Sequence, residues 1–124
     1  KEKIPVYGDG KNKRDWIFVQ DHCNAIKLIL KNGILGQTYN IGGNNELRNI
    51  DLINMICDYL DKVKPQVEGI SYSNLISYVK DRPGHDKRYA VDSRKIVSEF
   101  NWSPKTSFKE GLENTINWYI KVLK

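Results

Sequence analysis

Cysteine is scarce in this chain: Cys23 and Cys57 are the only two thiols in 124 residues. Two isolated cysteines form neither a zinc-ligand spacing nor the dense framework of a small disulfide-stapled domain. Both fall within apolar helical patterns, which predicts two buried free thiols. Also missing is any apolar run near the roughly 20 residues of a membrane-spanning helix, and no signal peptide is recognisable. The expectation is a cytoplasmic protein with no membrane partner. The catalytic signatures are missing too. There is no G-x-S-x-G, no H-E-x-x-H and no G-x-G-x-x-G. His22 and His85 lie far apart, and no pair of carboxylates has a spacing that singles it out for acid–base work. No catalytic residue, no metal site and no cofactor-binding residue is therefore expected in this stretch.

Low complexity is absent as well, and aromatics are plentiful, with three Trp, seven Tyr and three Phe. Disorder is thereby excluded for most of the chain. Hydrophobic residues make up 40%, enough for a core, and the length fits one domain over residues 1–124. The formal net charge is +5. Its basic residues are dispersed rather than gathered into a broad face, so a small phosphate-bearing ligand suits them better than nucleic acid. The sequence opens at Lys1 without methionine and enters strand-like sequence almost at once, which leads us to expect a fragment.

Along the chain, Ile4 to Tyr7 reads as a strand. Gly8 to Lys13 reads as its turn, and Trp16 to Val19 as the returning strand. Asp21 is the expected cap of a helix whose apolar side holds Cys23, Ala25, Ile26, Ile29 and Leu30, ending at Asn32-Gly33. Gln37 to Ile41 is a strand candidate, followed by a sharp turn at Gly42-Gly43. Asn49 is the expected cap of a second helix. That helix carries two adjacent apolar stripes, Ile53, Ile56, Cys57 and Leu60 beside Leu52, Met55 and Tyr59, and exits before Pro65. Ile76 to Val79 is a strand. Ser93 or Asp92 opens a short helix with Ile96, Val97 and Phe100. Ser107 and Glu110 form a capping box for the last helix, which carries Phe108, Leu112, Ile116, Tyr119 and Leu123. The fold class is mixed α/β and helix-rich. Its strands are too few and scattered for a self-contained sheet, so some belong to a larger sheet whose remainder lies outside this stretch.

The functional signal concentrates in Asp81 to Tyr89, DRPGHDKRY. Arg82, His85, Lys87 and Arg88 surround a Pro83-Gly84 turn, a seat for an anionic group such as a diphosphate. Arginine offers a rigid fork of donors that matches phosphate oxygens. Gly84 removes side-chain bulk behind it. The alternative is an Arg82 salt bridge to Asp81 or Asp86, with His85 filling the turn. Arg14 converges on the same anion in one reading and pairs with Asp15 at the surface in the other. Asn49 serves as cap, ligand contact or both. Tyr7, flanked by Pro5, stacks on a base or sugar, or packs structurally. Asn40 and Glu46 lie in a polar segment after a strand, where open α/β proteins bind ligands.

Four segments carry a resemblance that covers essentially the whole chain in collinear order. They are PVYGDGKNKRDWIFVQDH from Pro5, TYNIGGNNELRN from Thr38, DRPGHDKRYAVD from Asp81 and WSPKTSFKEGL from Trp102. Together they resemble the carboxyl-terminal part of the dTDP-glucose 4,6-dehydratase family, within the extended short-chain dehydrogenase/reductase superfamily. The resemblance implies a substrate-binding domain of a lyase whose NAD-binding Rossmann core is largely missing here, with Gln37 to Ile41 rejoining that sheet in the complete protein. It implies that Pro5 and Tyr7 lie beside the nucleotide. Arg14 and Asn49 meet the substrate, with Arg14 near the diphosphate. Arg82, Pro83, Gly84 and His85 line the same substrate. Asn40 and Glu46 only hold the loop or join it. The implied reaction converts dTDP-glucose to dTDP-4-keto-6-deoxyglucose and water, using NAD held by the missing amino-terminal domain. The full-length enzyme would be a homodimer in deoxysugar biosynthesis. The fragment alone is expected to be inactive and to self-associate through surface that normally meets the missing domain. Two other readings stay open: part of a related UDP- or CDP-sugar epimerase or dehydratase, and a stand-alone module for phosphorylated ligands.

Overall fold

A computed structural model describes residues 2–123. Its strands are β1 (Ile4–Tyr7), β2 (Lys13–Asp15), β3 (Glu46–Arg48), β4 (Ile76–Val79) and β5 (Arg88–Tyr89). Its helices are α1 (Val19–Asn32), α2 (Asn49–Val63), α3 (Arg94–Phe100) and α4 (Phe108–Val122), with short 3-10 turns at Val67–Gly69 and Tyr72–Leu75. The mixed, helix-rich α/β class holds, and the strands form a two-stranded and a three-stranded sheet rather than a Rossmann-type sheet among the described residues.

The expected hairpin does not form. β1 runs parallel to β4, Ile4 opposite Ile76 and Tyr7 opposite Val79. The return from β1 begins at β2, not at Trp16. β2 is the centre of a second sheet, antiparallel to β3 and parallel to β5. The reason lies in the intervening turn. Gly8 and Gly10 take left-handed backbone angles of φ +59° and +69°, a region open to glycine at little steric cost. Gly8 donates its N–H to Val79 and Gly10 to Tyr7, while the Gly10 carbonyl accepts from Ile50 at 3.0 Å. The turn is thus pinned to the start of α2, and β2 is carried away from β1.

Trp16, Ile17 and Phe18 cross from β2 into α1, which starts at Val19 with Phe18 before it. Asp21 is therefore not the cap. It sits in the first turn, 4% exposed, and accepts the Thr106 N–H at 2.9 Å, joining α1 to the loop before α4. Burial alone would push the Asp21 carboxyl up, but the backbone donors of Thr106 and Lys105 bring it below its ordinary value. α1 presents Ala25, Leu28 and Ile29 to a core formed with Ile96 and Trp102. Its other side remains open. Cys23 is exposed rather than buried, and Ile26 and Leu30 also face outward, Leu30 at 82%. Cys57 is the buried free thiol.

α2 is covered on most of its girth, as its two stripes require. Leu52 and Cys57 are buried, and Ile53, Met55, Ile56, Tyr59 and Leu60 are half-buried. The Asn117 amide donates to the Tyr59 hydroxyl at 2.9 Å and joins α2 to α4. Ser107 caps α4, its Oγ accepting the Glu110 N–H. Gly111 lets α4 close on Phe18, since a Cβ there would lie 2.9 Å from the Phe18 Cβ. The Asp61 carboxylate of α2 accepts from the Ser71 hydroxyl and the Tyr72 N–H, guiding the chain through the 3-10 turns into β4.

The strand expected at Gln37 to Ile41 is not formed, and the segment pairs with no strand among the described residues. Side chains hold it against α3. Lys95 Nζ donates to Gln37 Oε1 and to the Thr38 carbonyl and lies 4.4 Å from the centre of the Tyr39 ring. The Tyr39 hydroxyl donates to Glu99. The segment has strand composition without a neighbouring strand to complete a ladder.

Asp21→Asn should lower stability by about 1–3 kcal/mol, the scale of a hydrogen bond to a charged group. The sign follows from linkage. The folded-state pKa is depressed, so the contribution is fully present above the unfolded value of about 3.9 and is lost as pH falls through the folded value. Urea unfolding of both proteins should show the gap at pH 7 and its narrowing toward pH 3. An equal gap at both pH values would contradict the assignment.

Candidate functional site

The residues singled out in the sequence gather where β1, β2, the start of α2 and the turn after β4 meet. β1 ends at Tyr7 beside Val79, the last residue of β4. The turn then comes back against the Gly8 backbone, where an added Cβ would lie 3.0 Å from Asp81 Oδ2. Pro5, Tyr7 and Asn49 line one cavity of about 230 Å³, together with Val6, Trp16, Leu52 and Ile53. Tyr7 is half exposed, so its ring is open to a flat partner.

Asn49 is the first residue of α2, with Arg48 in the capping position, so its side chain is not the cap. Its backbone N–H donates to the Asn12 carbonyl at 2.9 Å. That fixes its backbone while its side chain lines the cavity. Arg48 instead forms a two-pronged pair with Asp51 in the first turn.

Arg14 does not pair with Asp15. Its Nη1 donates to the Lys13 carbonyl at 2.6 Å and to the Asp86 carbonyl at 3.1 Å, so it reaches the basic turn directly. Asp15 has a different task. Its carboxylate accepts the N–H groups of Gly43 at 2.9 Å and Asn45 at 2.7 Å. The two glycines are explained by close approach rather than by a sharp turn, since neither has a positive φ. A Cβ at Gly42 would lie 2.7 Å from Asp15 Oδ2 and 2.9 Å from Val91, and one at Gly43 would lie against the Trp16 carbonyl. Their Cβ positions are already filled, and the Gly43 and Asn45 N–H groups are taken by Asp15.

The strand register sorts the charges by face. Lys13, Asp15, Glu46, Arg48 and Arg88 share one face of the three-stranded sheet, and Arg14 shares the other with Leu47 and Tyr89. Glu46 and Arg88 form a two-pronged pair at 2.5 and 2.6 Å that spans the sheet from β3 to β5. The Arg88 guanidinium holds the Glu46 carboxyl below its ordinary range. Glu46 thus holds structure together, while Asn40 donates to the Asp92 carbonyl.

Within the turn, Asp81 organises the other candidates. His85 Nδ1 lies 2.7 Å from Asp81 Oδ1, which also accepts the Arg82 N–H at 2.9 Å. The His85 ring, with its side chain only 7% exposed, lowers the Asp81 carboxyl first and the Arg82 N–H adds to this. A direct ion pair of the Arg82 guanidinium with Asp81 or Asp86 is not formed among the described residues, although its charge still helps to lower the Asp81 carboxyl. Pro83 and Gly84 are exposed. Gly84 has φ +70° with open space where a Cβ would be, so glycine serves the backbone conformation there. Arg82, Pro83, Gly84 and His85 line neither cavity, and the turn approaches the pocket-bearing segments through Asp81 at Gly8, the residue after Tyr7.

Asn12 escaped sequence reasoning. It is buried, and its amide donates to the same Asp86 carbonyl at 3.0 Å. A polar residue in a Gly- and Lys-rich turn reads as solvated, and only the return of the turn from residue 81 buries it. Among the described residues no three His, Cys, Asp or Glu side chains are grouped to hold a metal.

Comparison with known proteins places the chain in a family. The chain is 49% identical over 119 residues to a dTDP-glucose 4,6-dehydratase from Xanthomonas campestris, covering 96% of this chain and 34% of that protein. A dTDP-glucose 4,6-dehydratase from Bacillus anthracis, solved in complex with NAD, superposes with a TM-score of 0.81 at 46% identity, over 97% of this chain and 35% of that one. DesIV, a dTDP-glucose 4,6-dehydratase from Streptomyces venezuelae solved with NAD bound, gives a TM-score of 0.85 at 38% identity, over 97% and 34%. The chain thus spans about a third of the length of the relatives it matches, at their carboxyl-terminal end. Residues 1–115 match the family described as GDP-mannose 4,6 dehydratase, and the chain belongs to that family.

Proposed function

We propose that this chain is the nucleotide-sugar-binding part of a dTDP-glucose 4,6-dehydratase, a lyase that in complete form converts dTDP-glucose to dTDP-4-keto-6-deoxyglucose and water. The observation that carries the reading is the meeting of Arg14 with the turn that bears Arg82. Two cationic forks stand on segments joined through the Asp86 carbonyl, and Asn12 ties that carbonyl to Asn49, which lines a pocket with Pro5 and Tyr7. Two arginines near one diphosphate share its charge in fixed, planar geometry. Tyr7 offers a ring face to the base or sugar, and Pro5 stiffens the strand beneath it. The Asn49 amide offers both a donor and an acceptor at the mouth of α2. His85, fixed by Asp81 through Nδ1, keeps its other ring nitrogen for a ligand oxygen. The similarity to the Xanthomonas, Bacillus and Streptomyces enzymes supports the same substrate class.

NAD fits the complete enzyme and not this chain. A dinucleotide needs a glycine-rich turn opening onto a helix amino terminus, and the Gly42-Gly43 pair is filled by Asp15, Val91 and Trp16. The dinucleotide belongs to the remaining two thirds of the protein, as do the groups that move protons. The residues described here bind and orient substrate. A cytoplasmic location goes with this reading, since NAD and nucleotide-sugars are cytoplasmic metabolites.

Three outcomes test the proposal. The pure 124-residue chain, supplied with NAD and dTDP-glucose, should form no 4-keto-6-deoxy sugar above blank, and turnover would contradict the division of labour. In the full-length enzyme, Arg82→Ala should weaken dTDP-glucose binding by about 10- to 100-fold, the scale of a charge-assisted hydrogen bond. Arg82→Lys should recover only part of this, because a point charge replaces a fork. Calorimetric titration gives both, and wild-type affinity in a folded Arg82→Ala protein would remove Arg82 from the site. Finally, Arg14→Ala and Arg82→Ala should be non-additive by about 0.5 kcal/mol or more if both face one diphosphate. Strict additivity in the double-mutant cycle would separate them.

A further inference from the structure

Asn12 stands apart among the polar residues of this chain. Only Asn12, Asp21 and Ser93 are buried polar or charged residues among those described, Asn12 at 7% exposure. Buried polar groups are retained where their hydrogen bonds are satisfied. Those of Asn12 lead in two directions. Its side-chain Nδ2 donates to the Asp86 carbonyl at 3.0 Å, and its backbone carbonyl accepts the Asn49 N–H at 2.9 Å. One residue therefore touches both the turn that carries Arg82 and His85 and the first residue of α2. Its neighbours reinforce the seam. The Lys13 N–H donates to the Lys87 carbonyl at 2.7 Å, and Gly10 accepts from Ile50.

The Asp86 carbonyl has two side-chain donors, Asn12 and Arg14. They differ in what else they can do. The Arg14 guanidinium is more open to solvent and is a ligand-binding candidate, and a bound anion would draw it off the carbonyl. Asn12 is buried and has no such alternative. When Arg14 turns to a diphosphate, Asn12 is the side-chain donor left to hold the turn.

We propose that Asn12 is a positioning residue that sets the basic turn at Arg82–His85 against Asn49, so that both meet one nucleotide diphosphate. The proposal rests on the functional reading above and adds a residue that contacts no ligand itself. Asn12→Asp is the informative change. It keeps the size of the side chain but replaces the amide donor with a carboxylate oxygen facing the Asp86 carbonyl. The turn would be pushed off its seat while Arg82, Arg14 and Asn49 remain intact.

The test is calorimetric titration of the full-length enzyme with dTDP, in wild-type and Arg82→Ala backgrounds, with NAD affinity measured alongside. In the wild-type background, Asn12→Asp should raise the Kd for dTDP about tenfold, the loss of roughly one hydrogen bond to a charged group, and leave NAD affinity unchanged. In the Arg82→Ala background the same change should cost less than about twofold, because the group it positions is gone. If Asn12→Asp lowers the folded fraction, Asn12→Ser, which removes the amide without adding charge, is read in the same way. Wild-type dTDP affinity in Asn12→Asp while Arg82→Ala binds weakly would overturn the proposal and leave the functional reading standing. Equal penalties in the two backgrounds would overturn it as well, since Asn12 would then act other than through the turn. Wild-type affinity in Arg82→Ala itself would overturn both.

Discussion

The Asp86 carbonyl, receiving the Asn12 amide and the Arg14 guanidinium together, is the junction on which the candidate site depends. It closes a circuit of chain segments that are distant in sequence. β2 carries Arg14 and is held to α2 through Asn12 and Gly10. The turn after β4 is held to β2 through Asp86 and Lys87, and it rests on β1 through the Asp81–Gly8 contact. Without this junction the turn would lose its side-chain ties to Asn12 and Arg14. With it, the turn is tied through Asn12 to Asn49, which lines the pocket with Pro5 and Tyr7. A ligand anion would add to what Asp81 supplies, since the Arg82 guanidinium forms no direct ion pair among the described residues and meets Asp81 through its charge alone.

A second feature is how the remaining charges are consumed. Asp15 is spent on two backbone N–H groups, Glu46 on Arg88, Asp51 on Arg48 and Asp92 on Arg94, which holds the Asp92 carboxyl at about 2. These pairings fix loops and strand ends around the site. They leave Arg14 and Arg82 as the arginines without a direct carboxylate pair among the described residues, which suits an anion-binding site. Elsewhere the molecule is unfinished. The outer side of α1 exposes Ile26 and Leu30, and the segment at 37–41 lacks a strand partner among the described residues. A second cavity, of about 660 Å³ and lined by aromatic residues such as Trp16, Phe18, Phe108 and Trp118, opens beside the first. Such surfaces fit a chain that spans about a third of its relatives.

Much of this was legible in the sequence where local chemistry decides the outcome. The capping box at Ser107, the helix end at Asn32-Gly33, the two stripes of α2 and the strand before the basic turn all follow from periodicity and turn residues. The failures share a cause, namely long-range hydrogen bonding. Asp21 looked like a cap because its partner, Thr106, is far away in sequence. Gly42-Gly43 looked like a turn because the groups that crowd it, Asp15, Trp16 and Val91, come from other segments. Trp16 to Val19 had strand composition, but Val19 opens a helix once β2 is captured by β3 and β5. The candidate ligand residues were identified from charge, turn chemistry and family resemblance. Their mutual placement, and the part of Asn12 in it, became visible only in three dimensions.

The central claim is that Arg14 and the Arg82 turn address one diphosphate beside the Pro5–Tyr7–Asn49 pocket. Its most direct test is a crystal structure of the full-length protein with dTDP-glucose bound. The account predicts diphosphate oxygens within hydrogen-bond distance of both guanidinium groups, with the Asp86 carbonyl still held by Asn12. A diphosphate bound elsewhere, with Arg14 and Arg82 both facing solvent, would contradict it.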